Sequence, residues 1–332
     1  MKRMTRLALE SCLGAALLAF TMKTTAATWE RLAPLPEPAA GFIVGAFDGN
    51  IVIAGGTNWR GETKHWIDLI QLYDPARNAW REVGRLPAPL AYAASGRTAD
   101  GLCFAGGSSG PQTHGTLAVL DRQFAVKTIA TIEPRFVYAG GTVLDGQLYV
   151  IGGAPAQERI DAMTHACFSF DLRTGHTTRL ADLPVPGFIV GGTAACAGRV
   201  FVFGGAEPAA VAGEVNNLAT TFAWSPAEKR WSKLAPYPCA NRGLNAIALD
   251  ERHIYIAGGY KNDVEGFTDE AFLFDVATET FRPSVPLPHR AMVHLVLTGE
   301  HLYCLGGEDR KKHRTGAVFR IAWRELLDPE KR

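Results

Sequence analysis

The chain has 332 residues, 47% hydrophobic, with 34 Lys and Arg against 33 Asp and Glu and a formal net charge of +1. That balance excludes partners recognised through concentrated positive charge, such as nucleic acid or an anionic membrane surface. Its six cysteines show neither paired nor metal-ligand spacing, which excludes a disulfide framework and a zinc site; no metal and no cofactor are expected.

In chain order, residues 1–27 read first as a secretory signal. Lys2, Arg3 and Arg6 precede an apolar stretch, 7–22, and small residues 24–27 offer cleavage after Ala27. The stretch is short and interrupted by Glu10, unlike a retained membrane span. The expectation is a periplasmic or secreted protein, free of the membrane after cleavage, with one domain over residues 28–332. The five cysteines beyond the signal are expected as buried free thiols.

From there the sequence is punctuated at nearly even intervals by six of its Gly-Gly doublets: Gly55-Gly56, Gly106-Gly107, Gly152-Gly153, Gly204-Gly205, Gly258-Gly259 and Gly306-Gly307. The steps between their first glycines are 51, 46, 52, 54 and 48 residues. Each doublet ends a short apolar run, such as Ile51 to Ala54 or Ile254 to Ala257, rich in β-branched and aromatic residues. Such runs predict strands covered on both faces. Asp48-Gly49, Asp100-Gly101 and Asp145-Gly146 supply tight turns before them. A variable loop follows each doublet, then a third strand such as residues 69–74, and then an outer strand. The outer strand carries a Trp-x-x-Leu-x-x-Leu-Pro cadence at residues 80–87, repeated with variation at 231–238 and 281–288. Recurrence at one place in the repeat assigns these aromatic residues to packing rather than to ligand stacking.

A repeat of about 50 residues made of four short strands predicts an all-β, six-bladed propeller of kelch type. After Gly306-Gly307 comes one further strand, 317–323, without the Trp cadence; the missing segment stands at residues 29–36. The amino-terminal strand is therefore expected to complete the sixth blade and pair an otherwise open sheet edge.

Because blade strands alternate in direction, the loops after the doublets and the segments before the innermost strands share one face. A pocket is expected there, at the channel mouth. Candidate residues on that face include Asn58, Lys64 and Trp66 in the first loop, Arg135, Glu207, Glu214, Arg242, Asn245 and Arg290. Arginines, carboxylates, amides and flat rings together suit a small acidic sugar. The competing reading of each arginine is a structural tie between blades.

The first loop is the most specific stretch. Ala54-Gly55-Gly56-Thr57-Asn58-Trp59, then Gly61, Lys64, Trp66, Asp68 and Leu72, resembles the Ala-Gly-Gly-x-Asn … Gly-x-Lys-x-Trp-x-Asp pattern of the cyclically permuted mutarotases. These are exported six-bladed kelch proteins related to bacterial N-acetylneuraminate epimerase. The stretch from Phe136 to Gly141, followed by residues 145–150, is similar too, as is Arg290. The resemblance implies interconversion of sialic acid anomers by acid/base ring opening. It places the base on Glu207, with Glu214 as fallback, and the substrate carboxylate on Arg135 and Arg290. Asn58, Lys64, Trp66, Arg242 and Asn245 would contact the sugar. Glu207 is offset by one from the family's glutamate, and that motif's Lys and Arg are absent here. The alternative is a non-catalytic propeller that binds glycan or protein. A copper radical oxidase needs paired histidine ligands that the nine histidines do not provide.

Overall fold

Glycine doublets organise the ring because both members adopt left-handed backbone. Gly55 has φ +74° and Gly56 φ +105°, and the other five doublets repeat the pair. A side chain has no room: a Cβ on Gly55 would stand 2.1 Å from the Leu90 carbonyl oxygen, and one on Gly152 2.2 Å from that of Phe188. The second glycine's N–H donates across to the neighbouring blade in every repeat. Its acceptors in turn are the carbonyls of Leu90, Phe136, Phe188, Asn241, Ala291 and Ala39, at 2.7–2.9 Å. The last of these bonds, Gly307 to Ala39, closes the ring.

The computed structural model describes residues 28–211 and 213–327. The expected signal, 1–27, lies outside the described residues. Six antiparallel sheets are arranged around a central channel. From inside outward, blade 1 is Ile43–Phe47, Asn50–Ala54, Leu69–Asp74 and Ala79–Arg85. Blade 2 is Ala94–Arg97, Gly101–Ala105, Thr116–Asp121 and Val126–Thr131. Blade 3 is Gly140–Leu144, Gln147–Ile151, Cys167–Asp171 and Thr177–Arg179. Blade 4 is Gly192–Cys196, Arg199–Phe203, Thr221–Ser225 and Arg230–Lys233. Blade 5 is Asn245–Ala248, His253–Ala257, Ala271–Asp275 and Thr280–Pro283.

Blade 6 joins Met292–Thr298, His301–Arg310 and Val318–Ala322 to an outer strand from the other end of the described chain, Glu30–Arg31. Glu30 pairs with Arg320 and Arg31 with Phe319, so the amino-terminal segment does complete the sixth blade. The Glu30 carboxylate also takes a hydrogen bond from Arg320 Nε at 2.6 Å. Blade 6 departs from the repeat in one respect: its second strand runs unbroken through the doublet.

Six apolar clusters fill the six spaces between neighbouring blades, each joining the inner strands of one to those of the next. Outer-strand tryptophans extend these clusters, as the cadence predicted. Trp80 Nε1 donates to the Ala33 carbonyl at 3.0 Å, Trp231 Nε1 to Ala181 at 2.9 Å and Trp29 Nε1 to Pro286 at 2.8 Å. Each indole is thereby committed to the preceding blade. Cys103, Cys167, Cys196 and Cys304 are buried and Cys239 is partly so; all five are free thiols.

Candidate functional site at the channel mouth

The mouth is framed by backbone before any side chain enters. Gly41, Tyr92, Tyr138, Val190 and Gly243, one from the segment leading into each of blades 1 to 5, all have positive φ. Each passes its N–H to the carbonyl of the previous member: Tyr92 to Gly41, Tyr138 to Tyr92, Val190 to Tyr138 and Gly243 to Val190, at 2.7–3.2 Å. At blade 6 the pattern breaks. Gly41 N–H donates instead to His294 Nε2 at 3.0 Å, and Phe42 packs on the His294 ring at 4.0 Å. Burial, then the nearby Arg314 guanidinium, pushes the imidazole down to about 4, so it is neutral and free to accept. Three of these residues carry side chains despite left-handed backbone, and for the β-branched Val190 (φ +48°) that is strained.

Above this frame, the loops after the doublets of blades 1, 4, 5 and 6 fold back as hairpins whose alternation sorts residues between two faces. In blade 1, Thr57–Arg60 pairs with Thr63–Trp66 so that Thr57, Trp59, Lys64 and Trp66 share one face. Asn58 and His65 take the other. The first face looks to the mouth: Thr57 Oγ1 lies 3.0 Å from the Tyr92 hydroxyl, and Lys64 Nζ stands 4.7 Å from the Tyr92 ring and 5.2 Å from that of Trp66. Asn58 turns instead toward Glu37, at 3.5 Å. In blade 4, Ala206 and Asn217 share the mouth-facing register, whereas Glu207 pairs with Asn216 on the opposite one. In blade 6 the residue immediately after the doublet is Glu308, paired in register with Arg314.

The inward set forms a connected polar layer. Lys64 Nζ donates to Gln157 Oε1 at 3.2 Å, as does the Tyr138 hydroxyl at 3.3 Å. Burial and the neighbouring Tyr92 push the Tyr138 phenol well above its ordinary range, so it is neutral and a donor. Arg314 is buried, with Nη1 2.6 Å from Glu308 Oε2 at an angle too bent for a hydrogen bond. Its Nε has no partner among the described residues. From blade 5, Arg242 stacks 4.6 Å over the Tyr260 ring and donates to Asn217 Oδ1 at 2.7 Å. Desolvation depresses its pKa.

Charge bookkeeping singles out two of these groups. Six Lys and Arg side chains among the described residues are not exposed: Lys64, Arg199, Arg242, Lys261, Arg314 and Arg320. Four are ion-paired, Arg199 to Glu279, Lys261 to Glu270, Arg314 to Glu308 and Arg320 to Glu30. Lys64 and Arg242, both at the mouth, have no such carboxylate partner among the described residues. A cation that is partly dehydrated and uncompensated is a place for a ligand's anion.

The residues expected to work together fall in different places. Arg242 and Glu214 line one cleft of about 830 Å³ with Tyr138, Gln157, Tyr260 and Lys261. Lys64 reaches it through Gln157, and Trp66 stands beside Lys64. Asn245 sits lower, on the wall of the 440 Å³ channel with His294 and Thr193. No hydrogen bond, ion pair or described cleft joins any two of the expected trio Glu207, Arg135 and Arg290. Arg135, 52% exposed, pairs with Glu133 at 3.2 Å in the segment leading into blade 3. Arg290, 65% exposed, stands 3.8 Å from Asp269 and lines an adjoining cleft with Glu265, Phe267 and Arg310, which shares Tyr260 and Asp263 with the first. Exposed and already neighboured by carboxylates, they lack the desolvated setting of Lys64 and Arg242. Gln157, Asn217, Tyr260 and Arg314 were missed. Counting in twos from each doublet would have found Tyr260, but Gln157 lies in an irregular loop with no such rule. Among the described residues no three His, Cys, Asp or Glu side chains are grouped to hold a metal.

The geometry defines a six-bladed propeller with a concave, largely polar cleft over its channel. No family model matches the chain. Among curated proteins it is similar to Kelch-like protein 33 of Homo sapiens, 32% identical over 41% of this chain and 25% of that protein. It is also similar to Kelch-like protein terF of Aspergillus terreus, 26% identical over 82% of this chain and 61% of that protein. Kelch-like protein 35 of Mus musculus is 27% identical over 53% of this chain and 28% of its own length. The chain thus spans between about a quarter and three fifths of these relatives. Together with the six-bladed ring, they support a kelch-repeat family for this chain.

Proposed function

We propose that this propeller is a binding module for a small, hydroxyl-rich anion of the sugar-acid class, held at the channel mouth without chemical conversion. The observation that carries the reading is the pair of sheltered cations without carboxylate partners, Lys64 and Arg242. A carboxylate on the ligand neutralises them; Gln157, Asn217 and the Tyr138 hydroxyl meet its hydroxyls, and Trp66 offers a flat face. An exported location, as residues 1–27 imply, belongs to the same proposal. Titration calorimetry with N-acetylneuraminic and glucuronic acids against glucose tests it. Binding of an acid but not of glucose, lost in Lys64→Met and Arg242→Met, is the expected result; no binding of any acid overturns it.

A second reading has an observation of its own. The loop resembling the cyclically permuted mutarotases carries Lys64 and Trp66, both on the mouth-facing side of their hairpin. Glu308 occupies in blade 6 the inward register that Glu207 misses in blade 4, and would act as the base with neutral Tyr138 as the acid. NMR of freshly dissolved N-acetylneuraminic acid, following anomer equilibration, discriminates the two. Acceleration over buffer that disappears in Glu308→Gln supports the enzyme; no acceleration leaves the binding module.

A further inference from the structure

The cleft that holds Arg242 has two unlike walls. On the blade 5 side stand Arg242, Lys261 and Asn262; on the side of blades 3 and 4 the aliphatic Ile160, Ile189, Val190 and Val215 stand among polar Tyr138, Gln157, Glu214, Asn216 and Asn217. The apolar wall does not belong to the six inter-blade cores. It is the open side of a seventh cluster, in which buried Val137, Ala154, Met163, Ile189 and Ala206 are packed beneath Ile160, Val190, Val215 and Tyr138. Such a cluster under loops needs a reason to keep aliphatic side chains half-buried at a polar mouth. Val190 sharpens the point, because a β-branched residue is held there in left-handed backbone (φ +48°) where glycine serves at the matching Gly41 and Gly243.

We propose that the ligand is an anionic sugar carrying an apolar substituent, an alkyl or aryl glycoside of a uronic acid. Its carboxylate meets Arg242 and its apolar group lies against Ile160, Val190 and Val215. This rests on the binding reading above and adds to it the second half of the ligand. The cleft, about 830 Å³, is in the range that encloses a molecule of this size. An unsubstituted sugar acid leaves the aliphatic wall wet, whereas an alkyl or aryl group removes that surface from water. Arg242 and the aliphatic residues line the same cleft, so one ligand can meet both.

The probes are 4-nitrophenyl β-glucuronide, free glucuronic acid and 4-nitrophenyl β-glucoside, titrated calorimetrically into the full chain. The expected result is that the aryl glucuronide binds at least about tenfold more tightly than glucuronic acid, about 1.4 kcal/mol. The neutral aryl glucoside should bind at least as much more weakly. Replacing Ile160→Ser together with Val215→Ser should bring the ratio between the two acids close to one. If both acids bind equally to the unaltered protein, this inference falls and the binding reading stands. If neither these acids nor N-acetylneuraminic acid binds, the binding reading falls and takes the inference with it. Equal binding of the aryl glucoside and glucuronide removes the role given to Arg242. The ratio in the unaltered protein decides the matter even if the serine variants fold poorly.

Discussion

The glycine doublets and the residues directly after them are neighbours in sequence and opposites in behaviour. The doublets repeat the same geometry six times, with left-handed backbone and an N–H donated to the next blade. The next residues are Thr57, Ser108, Ala154, Ala206, Tyr260 and Glu308, no two adjacent blades alike except 3 and 4. The first strip holds the ring and tolerates nothing but glycine. The second lies directly beneath the mouth, where five of the six are buried, and its side chains differ from blade to blade. A uniform backbone device and a varied layer thus sit within two residues of each other.

The largest test of that contrast is Gly55→Ala. A Cβ would meet the Leu90 carbonyl at 2.1 Å on left-handed backbone, so the loss should be about 3 kcal/mol or more in a denaturant titration. A change confined to ligand affinity would break the comparison. Next comes acidification. His294 is held at about 4 in the folded protein against an ordinary value near 6.5. The unfolded chain binds the extra proton first, so this contribution is intact above about pH 6.5. It is lost progressively down to about pH 4, by up to about 3 kcal/mol. His294→Gln should flatten that part of the stability profile; an unchanged profile would remove the imidazole from the mouth frame.

Lys64→Met and Arg242→Met are expected to weaken binding of a sugar acid about ten- to a hundredfold, the value of a charge-assisted contact. Their melting temperatures should stay within a few degrees of the parent's, since neither is part of an ion pair in the fold. Gly49→Ala is smaller: φ is +77° but no atom lies within 4 Å of the new Cβ, so only about 1 kcal/mol of backbone strain is expected. The smallest effects belong to Arg135→Gln, Arg290→Gln and Glu207→Gln. Each should leave affinity within about twofold, since exposed ion pairs contribute little and Glu207 lies on the far register of its hairpin. A tenfold loss in Glu207→Gln would return that residue to the site.

The sequence by itself determined the ring. Six doublets at a near-constant period, apolar runs before them and one displaced Trp segment specify six sheets and the way the last is completed. They do so because each signal is local: a backbone conformation that only glycine adopts readily, a strand covered on both sides, an unpaired edge. Only the tertiary structure decided which polar residues share the mouth. A shift of one residue along a hairpin turns Glu207, second after its doublet, away, while Glu308, first after its own, turns in, and only the paired hairpins show which of the two faces the mouth. Likewise, whether a sheltered cation meets a carboxylate depends on chain segments distant in sequence, as in Arg199 with Glu279 and Arg320 with Glu30. Arg135 and Arg290 have theirs at the surface, whereas Lys64 and Arg242 are sheltered by aromatic rings without one among the described residues.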